Sequence, residues 1–129
     1  MSEKNPTIIV IEDEKLLLEA ITKKLLINNI TVAGCSSVYE AFEFLNHTDT
    51  VPDAIWLDYY LKNETGLDFL NRLKENQKWA NIPVIIVSNS ASPETVKLMM
   101  ELGAAKYVLK TDFRLDEIVN MFRELIDQK

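Results

Sequence analysis

The chain has 129 residues, 47% of them hydrophobic, so residues 1–129 are predicted to form one domain with its own core. Fourteen basic and twenty acidic residues give a formal net charge of −6, which argues against direct, nonspecific nucleic-acid binding because that depends on basic patches. No apolar run approaches the ~20 residues needed to cross a bilayer, and no Lys/Arg run indicates a membrane anchor. The short, polar start is no secretory signal and Cys35 is the only cysteine, so we expect a cytoplasmic protein without disulfides.

Five short, strand-like segments alternate with helical patterns along the chain. The third and fourth are apolar throughout, as expected of strands whose two faces are both covered by helices. Strict alternation predicts parallel strands joined by right-handed crossovers. The expected fold is therefore a doubly wound, flavodoxin-like α/β sheet, (βα)5, with five strands in the order 2-1-3-4-5. The predicted strands are 7–12, 30–35, 53–58, 83–88 and 105–110.

The segments between the strands carry helix signals. The first helix is predicted near residues 14–28, where leucine is frequent. Ser37 precedes the second helix as an N-cap, and Glu40 completes a capping box. Ser92, with the proline after it, predicts the start of the fourth helix, which Gly103 ends. The remaining expected starts are near Thr65 for the third helix and after Asp112 for the fifth.

Acidic and polar side chains follow four of the five predicted strands. The carboxyl ends of parallel strands meet at one edge of the sheet, and ligands bind there at the switch point between the first and third strands. Three carboxylates in one cleft repel each other strongly, and a divalent cation relieves that repulsion. Mg²⁺ suits such a site because it prefers hard oxygen ligands combined with water and phosphate. The side chains at this edge are Glu12 and Asp13, Asp58, Ser88 and Lys110.

Asp58 has the chemistry of a nucleophile toward phosphorus. A carboxylate can attack in line and form an acyl phosphate, while the protein positions the donor and neutralises charge on the transferring oxygens. Lys110 would contribute one positive charge, and Ser88 would donate a hydrogen bond to the phosphoryl group. Taken singly, the acidic pair also suits a helix start, the lysine a solvated strand end and the serine a turn. Their joint spacing favours one site.

From about Thr7 to Ile126, the chain resembles the receiver domain of bacterial two-component response regulators. Each of the matching stretches is a weak signal alone, but their order and spacing together are highly specific. They are Ile9-Val-Ile-Glu-Asp-Glu14, Ile55-Trp-Leu-Asp-Tyr-Tyr-Leu61 with Gly66-Leu-Asp68, Ile82-Pro-Val-Ile-Ile-Val-Ser88, and Gly103-Ala-Ala-Lys-Tyr-Val-Leu-Lys110.

The resemblance implies that Asp58 accepts a phosphoryl group from a phosphohistidine on a sensor histidine kinase or a histidine phosphotransfer protein. It also implies that Mg²⁺ is bound by Glu12, Asp13, Asp58 and the main-chain carbonyl of Tyr60. Such a chain is a signalling protein rather than an enzyme, although it assists its own phosphotransfer and dephosphorylation.

The same resemblance implies a conformational switch. Ser88 is expected to move toward the phosphoryl group, and Tyr107 is expected to turn inward behind it. The output surface of such domains is formed by the fourth helix, fifth strand and fifth helix, which contacts a downstream target or an output domain and can pair two copies. Met99 or Met100 is predicted to lie on this surface as an adaptable contact residue. Lys129 ends the chain just after the fifth helix, which fits a stand-alone regulator or a piece of a longer protein.

The chain departs from the family pattern at several positions. A cis bond before a residue other than proline costs about 2.5–4 kcal/mol, so the bond between Lys110 and Thr111 is predicted to be trans. Asn89 is predicted to narrow access to Asp58, and a bulky Tyr60 is predicted to shield the acyl phosphate from water. The departures are Thr111 after Lys110 and Lys62 four residues after Asp58, both in place of proline, and Asn89 after Ser88, in place of a small residue.

Three other interpretations were weighed. A flavin-binding protein of the same fold needs a hydroxyl- and glycine-rich phosphate loop after the first strand, where this chain has Glu12-Asp13-Glu14. A hydrolase with an aspartyl-phosphate intermediate needs a second carboxylate two residues after the nucleophile, where this chain has Tyr60, and a cap domain. A receiver-like interaction module that is never phosphorylated stays open as the alternative, because Thr111 and Asn89 depart from the pattern.

Three aromatic side chains are assigned to structural positions. His47 is predicted to lie on the surface, far from the carboxylates. Trp56, two residues before Asp58, is predicted to lie in the core. Trp79, in the loop before the fourth strand, is predicted to be partly exposed.

Overall fold

The computed structural model describes residues 5–61, 65–90 and 92–128, in which five strands and five helices alternate. In this part of the chain, no helix is long and apolar enough to cross a membrane. The strands are β1 (Thr7–Ile11), β2 (Thr31–Cys35), β3 (Ala54–Asp58), β4 (Val84–Ser88) and β5 (Lys106–Leu109). The helices are α1 (Lys15–Ile27), α2 (Val38–His47), α3 (Gly66–Lys74), α4 (Pro93–Glu101) and α5 (Leu115–Asp127).

All five strands are parallel and lie in the order β2-β1-β3-β4-β5, which confirms the predicted fold class. Ile11 at the end of β1 is paired with Cys35 of β2 and Leu57 of β3, and Asp58 is paired with Val87 of β4. The strands therefore end together at one edge. Because β1 lies between β2 and β3, the chain order reverses there and leaves a crevice at the carboxyl ends of β1 and β3.

The starts of α2 and α4 follow the sequence signals. The Ser37 hydroxyl accepts a hydrogen bond from the Glu40 N–H at 3.1 Å, and Glu40 Oε1 accepts one from the Ser36 N–H at 2.7 Å. Ser92 caps α4 by accepting from the Thr95 N–H at 3.1 Å. Both arrangements satisfy N–H groups that the first turn of a helix leaves unpaired.

Gly103 follows α4 in a left-handed conformation with φ of +104°, as expected of a glycine that ends a helix. Helix α5, in contrast, begins at Leu115 rather than directly after Asp112. The Asp112 N–H donates to the Leu109 carbonyl in a turn, and Glu117 Oε1 instead accepts from the Arg114 N–H at 2.8 Å. This turn carries the chain away from the strand edge before the helix starts.

Two apolar layers lie on opposite faces of the sheet, because successive strand residues point to opposite sides. One layer packs α2, α3 and α4 on the sheet and includes Ile9, Ile55, Phe42, Phe69 and Met99. The other packs α1 and α5 on the opposite face and includes Val10, Trp56, Ile21, Ile118 and Phe122. The two layers fix the strands, and so fix the edge from which the polar side chains project.

The aromatic side chains follow these layers. Trp56 is only 1% exposed, and its ring stacks on that of Phe122 with centroids 5.3 Å apart, which confirms its place in the core. The prediction for Trp79 was wrong, because it is 8% exposed and packs against Phe42 with ring centroids 5.6 Å apart. Phe42 of α2 covers the Trp79 ring, although Trp79 itself lies in a loop. His47 is exposed, as expected.

Candidate functional site

Three carboxylates converge at the carboxyl ends of β1 and β3. Glu12, Asp13 and Asp58 each bring one oxygen to within 4.8 Å of the others. Glu12 and Asp58 are buried, whereas Asp13 is half-buried. Because Mg²⁺–oxygen bonds are about 2.1 Å long, small side-chain rotations would bring all three oxygens to one ion. The predicted carboxylates therefore form one oxygen-rich cluster with a donor set that suits Mg²⁺.

Glu12 is held at both of its carboxylate oxygens. Oε1 accepts a hydrogen bond from the ammonium of Lys110 at 3.2 Å, and Oε2 accepts from the N–H of Glu14 at 3.1 Å. The Glu12 N–H donates to the Cys35 carbonyl at 3.0 Å, which extends the pairing of β1 with β2. A carboxylate that is only 1% exposed needs such partners, because burial of an unpaired charge is costly.

Lys110 reaches across the crevice from the end of β5. Its Nζ lies 3.2 Å from Glu12 Oε1 and 3.9 Å from Asp58 Oδ2. Its backbone N–H donates to the Ser88 carbonyl at 2.8 Å, so the pairing of β4 with β5 places the lysine. The peptide bond between Lys110 and Thr111 is trans, as predicted. The positive charge thus lies directly beside two of the three carboxylates.

Asp58 lies in surroundings that disfavour its charge. Burial, followed by the negative charge of Glu12, raises its pKa to about 7. The Lys110 ammonium and the Tyr60 N–H, 3.4 Å from Oδ1, oppose this shift but do not cancel it. Since a nearby cation favours the ionised form of a carboxylate, a divalent ion in the cluster would favour the nucleophilic state of Asp58.

Ser88, at the end of β4, and Tyr107, on β5, both form a hydrogen bond with the backbone of Ser90 in the loop after β4. Ser88 is fully buried, and its hydroxyl accepts a hydrogen bond from the Ser90 N–H at 3.3 Å. The Tyr107 hydroxyl donates to the Ser90 carbonyl at 3.0 Å. Burial raises the pKa of Tyr107, and the Ser88 hydroxyl partly offsets that rise. The two predicted switch residues therefore both contact Ser90, and Asn89, next to Ser88 in the chain, is exposed.

Three tyrosine rings, beginning with Tyr60 two residues after Asp58, contact one another in series. Tyr60 is 54% exposed and packs edge-on against Tyr59, with ring centroids 4.8 Å apart. Tyr59 in turn lies 6.4 Å from the Tyr107 ring. No role was predicted for Tyr59 from the sequence, although the Tyr-Tyr pair after the aspartate was the available signal. The predicted Tyr60 carbonyl ligand stays a prediction, and Lys62 lies outside the described residues.

The turn that holds these tyrosines leaves little room for a side chain at Gly66. The Gly66 N–H donates to the Tyr59 carbonyl at 2.7 Å, and Tyr60 forms an isolated bridge with Thr65. A Cβ on Gly66 would lie 3.2 Å from the Tyr59 Cα and 3.3 Å from a Leu57 methyl carbon. The close approach brings α3 against the strand end and so fixes the backbone that follows Asp58.

A doubly wound parallel sheet with a carboxylate cluster, a lysine and a serine at its carboxyl edge defines a phosphoacceptor receiver class of protein. The family description "Response regulator receiver domain" matches residues 8–123. The chain belongs to this family.

Known proteins resemble the chain over most of its length. The two-component response regulator ORR8 of rice, Oryza sativa subsp. indica, is 31% identical over 82% of this chain and 87% of its own length. The probable C4-dicarboxylate response regulator DctR of Bacillus subtilis is 27% identical over 92% of this chain and 51% of its own length. The solved receiver domain of Francisella response regulator 1452 matches with a TM-score of 0.84 and 27% identity, over 96% of this chain and 98% of that one.

Membership defines the general role of the chain. The phosphoacceptor role is the function of the family, whose members are signalling domains rather than classical enzymes. Receiver domains generally bind Mg²⁺ at an acidic pocket, and Glu12, Asp13 and Asp58 form such a cluster here. The family also implies interaction with histidine kinases or phosphotransfer proteins and with output targets.

Proposed function

We propose that Asp58 accepts a phosphoryl group from a phosphohistidine on a sensor histidine kinase or a histidine phosphotransfer protein. The observation that carries the proposal is the convergence of Glu12, Asp13 and Asp58 within 4.8 Å beside the ammonium of Lys110. At Asp58, the Lys110 ammonium lies 3.9 Å from one carboxylate oxygen and the Tyr60 N–H lies 3.4 Å from the other. Residues 1–129 are proposed to act as one such domain in the cytoplasm, without direct nucleic-acid contact.

Carboxylates and one backbone carbonyl are assigned to metal binding, and Asp58 is also assigned to the attack on phosphorus. In this proposal Glu12, Asp13, Asp58 and the Tyr60 carbonyl would hold Mg²⁺, which would neutralise charge on the phosphoryl oxygens. One Asp58 oxygen attacks phosphorus in line, an O–P bond forms, and the P–N bond of the phosphohistidine breaks with its electron pair leaving on the imidazole. Burial of Asp58 keeps bulk water from competing for the same phosphorus.

Lys110 and Ser88 complete the polar shell around the transferred group. Lys110 stays within reach of an Asp58 oxygen because Glu12 holds its ammonium on the other side. Ser88 donates its hydroxyl hydrogen to a phosphoryl oxygen while the Ser90 N–H continues to donate to the hydroxyl oxygen. In the later dephosphorylation, water attacks phosphorus, the bond between phosphorus and the Asp58 oxygen breaks, and inorganic phosphate leaves the restored carboxylate. The same side chains assist this step, and Tyr60 limits the entry of water.

The proposed output surface lies on α4, β5 and α5. Met100 is 42% exposed on it, whereas Met99 is fully buried under α4. A groove of about 330 Å³ runs between these elements, with Tyr107 in its wall. Movement of Ser88 toward a phosphoryl group would alter the Ser90 loop that holds the Tyr107 hydroxyl, and so change this groove. A downstream target, an output domain or a second copy of the chain would contact the changed surface.

Intact mass after incubation with acetyl phosphate tests the proposal. The parent is expected to gain a single phosphoryl adduct with Mg²⁺ and none with excess EDTA, while Asp58→Asn gains none under either condition. Asp13→Asn should gain no phosphoryl adduct even with Mg²⁺, as the parent does in EDTA. A parent that binds Mg²⁺ but gains no adduct would instead support the unphosphorylated interaction module, with Asn89 and Thr111 as the first positions to revert.

A further inference from the structure

The two edge strands of the sheet differ in how they are protected against pairing with another chain. Within residues 5–61, 65–90 and 92–128, β2 pairs only with β1, and β5 pairs only with β4. A free strand edge is a template for further pairing, and natural proteins often place lysine or proline there to prevent it. β5 begins with the exposed Lys106. β2, with the sequence Thr-Val-Ala-Gly-Cys, carries neither a charge nor a proline, so its edge lacks this protection.

The free edge of β2 is formed by the backbone of Val32 and Gly34. The Thr31 N–H donates to the Pro6 carbonyl at 2.8 Å, and the Cys35 carbonyl accepts a hydrogen bond at 3.0 Å from the residue that follows β1. Because the backbone groups of successive strand residues point to opposite sides, every second residue from Thr31 faces β1. Val32 and Gly34 therefore turn their N–H and C=O groups away from β1, to the side where the described part of the chain places no strand.

A groove of about 420 Å³ lies along this free edge, between β2 and α1. It is lined by Gly34 and by Leu18, Glu19, Thr22 and Lys23 of α1. Gly34 is exposed and has no side chain, so this position leaves the edge open. Glu19 and Lys23 are also exposed, and neither belongs to an ion pair among the described residues. The groove is therefore bordered by one negative and one positive charge, which lie about one helical turn apart.

The two charges are complementary to those of a second copy related by a two-fold axis. Such an axis reverses α1 in the second copy, so each Glu19 faces the Lys23 of the other copy. The strand has the same property, because an axis through Ala33 sets Val32 opposite the Gly34 of the other copy. Residues opposite each other in an antiparallel pair can exchange both of their backbone hydrogen bonds, which satisfies the outward groups of β2. An unrelated peptide could pair with the strand, but a second copy matches the strand and the charges through one axis.

We propose that β2 pairs with β2 of a second copy of the chain, as antiparallel strands of one continuous sheet. α1 then lies beside α1 of the other copy, and Glu19 and Lys23 form reciprocal ion pairs across the axis. Because the paired strands run in opposite directions, the carboxyl edges of the two copies point away from each other and both Asp58 sites stay open. The interface is separate from the proposed output surface on α4, β5 and α5, and it forms without phosphorylation.

Analytical ultracentrifugation of the unphosphorylated protein in EDTA provides the first test. By mass action, the average mass should rise from that of one copy toward that of two as the protein concentration is raised. Amide hydrogen exchange then locates the interface. Exchange at Val32 and Gly34 should slow as the concentration rises, whereas exchange at Ala33, whose N–H faces β1, should change much less.

Substitutions on the strand test the edge itself. Gly34→Lys places a charge at the free edge, and its Cβ would lie at an ordinary contact distance of 3.5 Å from Leu18, so the fold can accept it. Val32→Pro removes an outward N–H, a change that edge strands tolerate. Each variant should weaken the pairing roughly ten-fold or more, as the loss of hydrogen bonds or the meeting of like charges predicts. Circular dichroism and thermal unfolding at low concentration check that each variant is folded.

Charge exchange on α1 tests the symmetry without a change to the strand. Glu19→Lys and Lys23→Glu should each weaken the pairing roughly ten-fold or more, because like charges then meet across the axis. The double variant should regain the pairing of the parent, and an equimolar mixture of the two single variants should form mixed pairs. Met100→Lys, on the proposed output surface, is the matched control and should leave the pairing unchanged.

Several outcomes would each overturn the proposal. One is a mass of a single copy at every soluble concentration, and another is slowed exchange that does not include Val32 and Gly34. A third is a double charge variant that pairs no better than the single variants, and a fourth is pairing that is lost in Met100→Lys but kept in Glu19→Lys. Because no phosphodonor or metal is present in any arm, failure here leaves the proposed phosphoacceptor function untouched.

Discussion

Glu12 and Lys110 form an ion pair across the carboxyl edge of the sheet, with Nζ 3.2 Å from Oε1, although 98 positions separate them in the chain. The glutamate side chain is 2% exposed and the lysine side chain 18% exposed. The pair joins the first strand of the fold to the last, and it holds the lysine beside Asp58.

Loss of the lysine should destabilise the metal-free protein. Lys110→Met leaves Glu12 buried without its cation and is expected to lower the free energy of unfolding by about 2–3 kcal/mol, measured by urea denaturation in EDTA. Glu12→Gln in the same chain should restore more than half of that loss, because no unpaired charge remains. Lys24→Met is the matched control. The pair of Lys24 with exposed Asp116 should contribute little to stability, so this variant should unfold at nearly the same urea concentration as the parent. An unchanged midpoint for Lys110→Met would show that the pair contributes nothing.

The raised pKa of Asp58 predicts a pH dependence of stability. Between about pH 4 and pH 7 the metal-free folded protein keeps a proton on Asp58 that the unfolded chain has lost. This stabilising contribution is complete below the unfolded pKa near 3.8 and is lost as the pH rises through 7. Relative to Asp58→Asn, the parent should therefore lose roughly 1–2 kcal/mol over this interval, a value reduced for solvent screening. A constant difference between parent and variant would contradict the prediction.

Mg²⁺ should offset the loss of stability that the ionised Asp58 causes at neutral pH. Ligand present at ten times its Kd stabilises a folded protein by about 1.4 kcal/mol, so the melting temperature should rise with Mg²⁺ and fall again with EDTA. Calorimetry on Asp13→Asn should show a much smaller rise, because one of the three clustered oxygens is replaced. Glu14→Gln, at the exposed start of α1, is the control that should respond as the parent does.

The tyrosine at position 60 should lengthen the lifetime of the acyl phosphate. Tyr60→Asn is expected to speed dephosphorylation roughly three- to ten-fold, because it opens the mouth of the site to water. Loss of the phosphoryl adduct is followed by intact mass after the donor is removed. Tyr39→Asn changes a tyrosine that is 70% exposed on α2 and should have no effect. Equal rates in the parent and Tyr60→Asn would refute the shielding role.

Cys35 should behave as an inert thiol. Burial, assisted by the nearby charge of Glu40, raises its pKa to about 11, and the residue is only 3% exposed. Since the thiolate is the reactive form, a disulfide reagent should label the native protein at least roughly a hundred-fold more slowly than the urea-unfolded chain. Rapid labelling under native conditions would show that the end of β2 opens readily.

The sequence predicted most of the fold because its strands are short apolar runs with polar side chains directly after them. The same rule placed Asp58 and Lys110 at one edge, since parallel strands end together. Local patterns did not reveal the burial of Trp79, which depends on covering by Phe42, or the start of α5, which depends on a turn at Asp112.

Contacts between distant segments were also beyond local patterns. The pairing of Lys110 with Glu12 and the contact of Tyr59 with Tyr107 could not be predicted from the sequence, because spacing along the chain does not specify side-chain direction. The indole nitrogen of Trp56, which has no hydrogen-bond partner among the described residues, is a further example, since any tryptophan in an apolar run predicts burial but not the fate of its donor.

The three tyrosine rings form a strip from the mouth of the carboxylate site to the groove between α4 and α5. Tyr60 lies at one end of the strip and Tyr107 at the other, with Tyr59 between them. In the proposed function, Tyr60 affects the lifetime of the acyl phosphate, and Tyr107 is part of the surface that a partner contacts. Substitution of Tyr59, which contacts both of these rings, should therefore alter the duration of the signal and the choice of partner together.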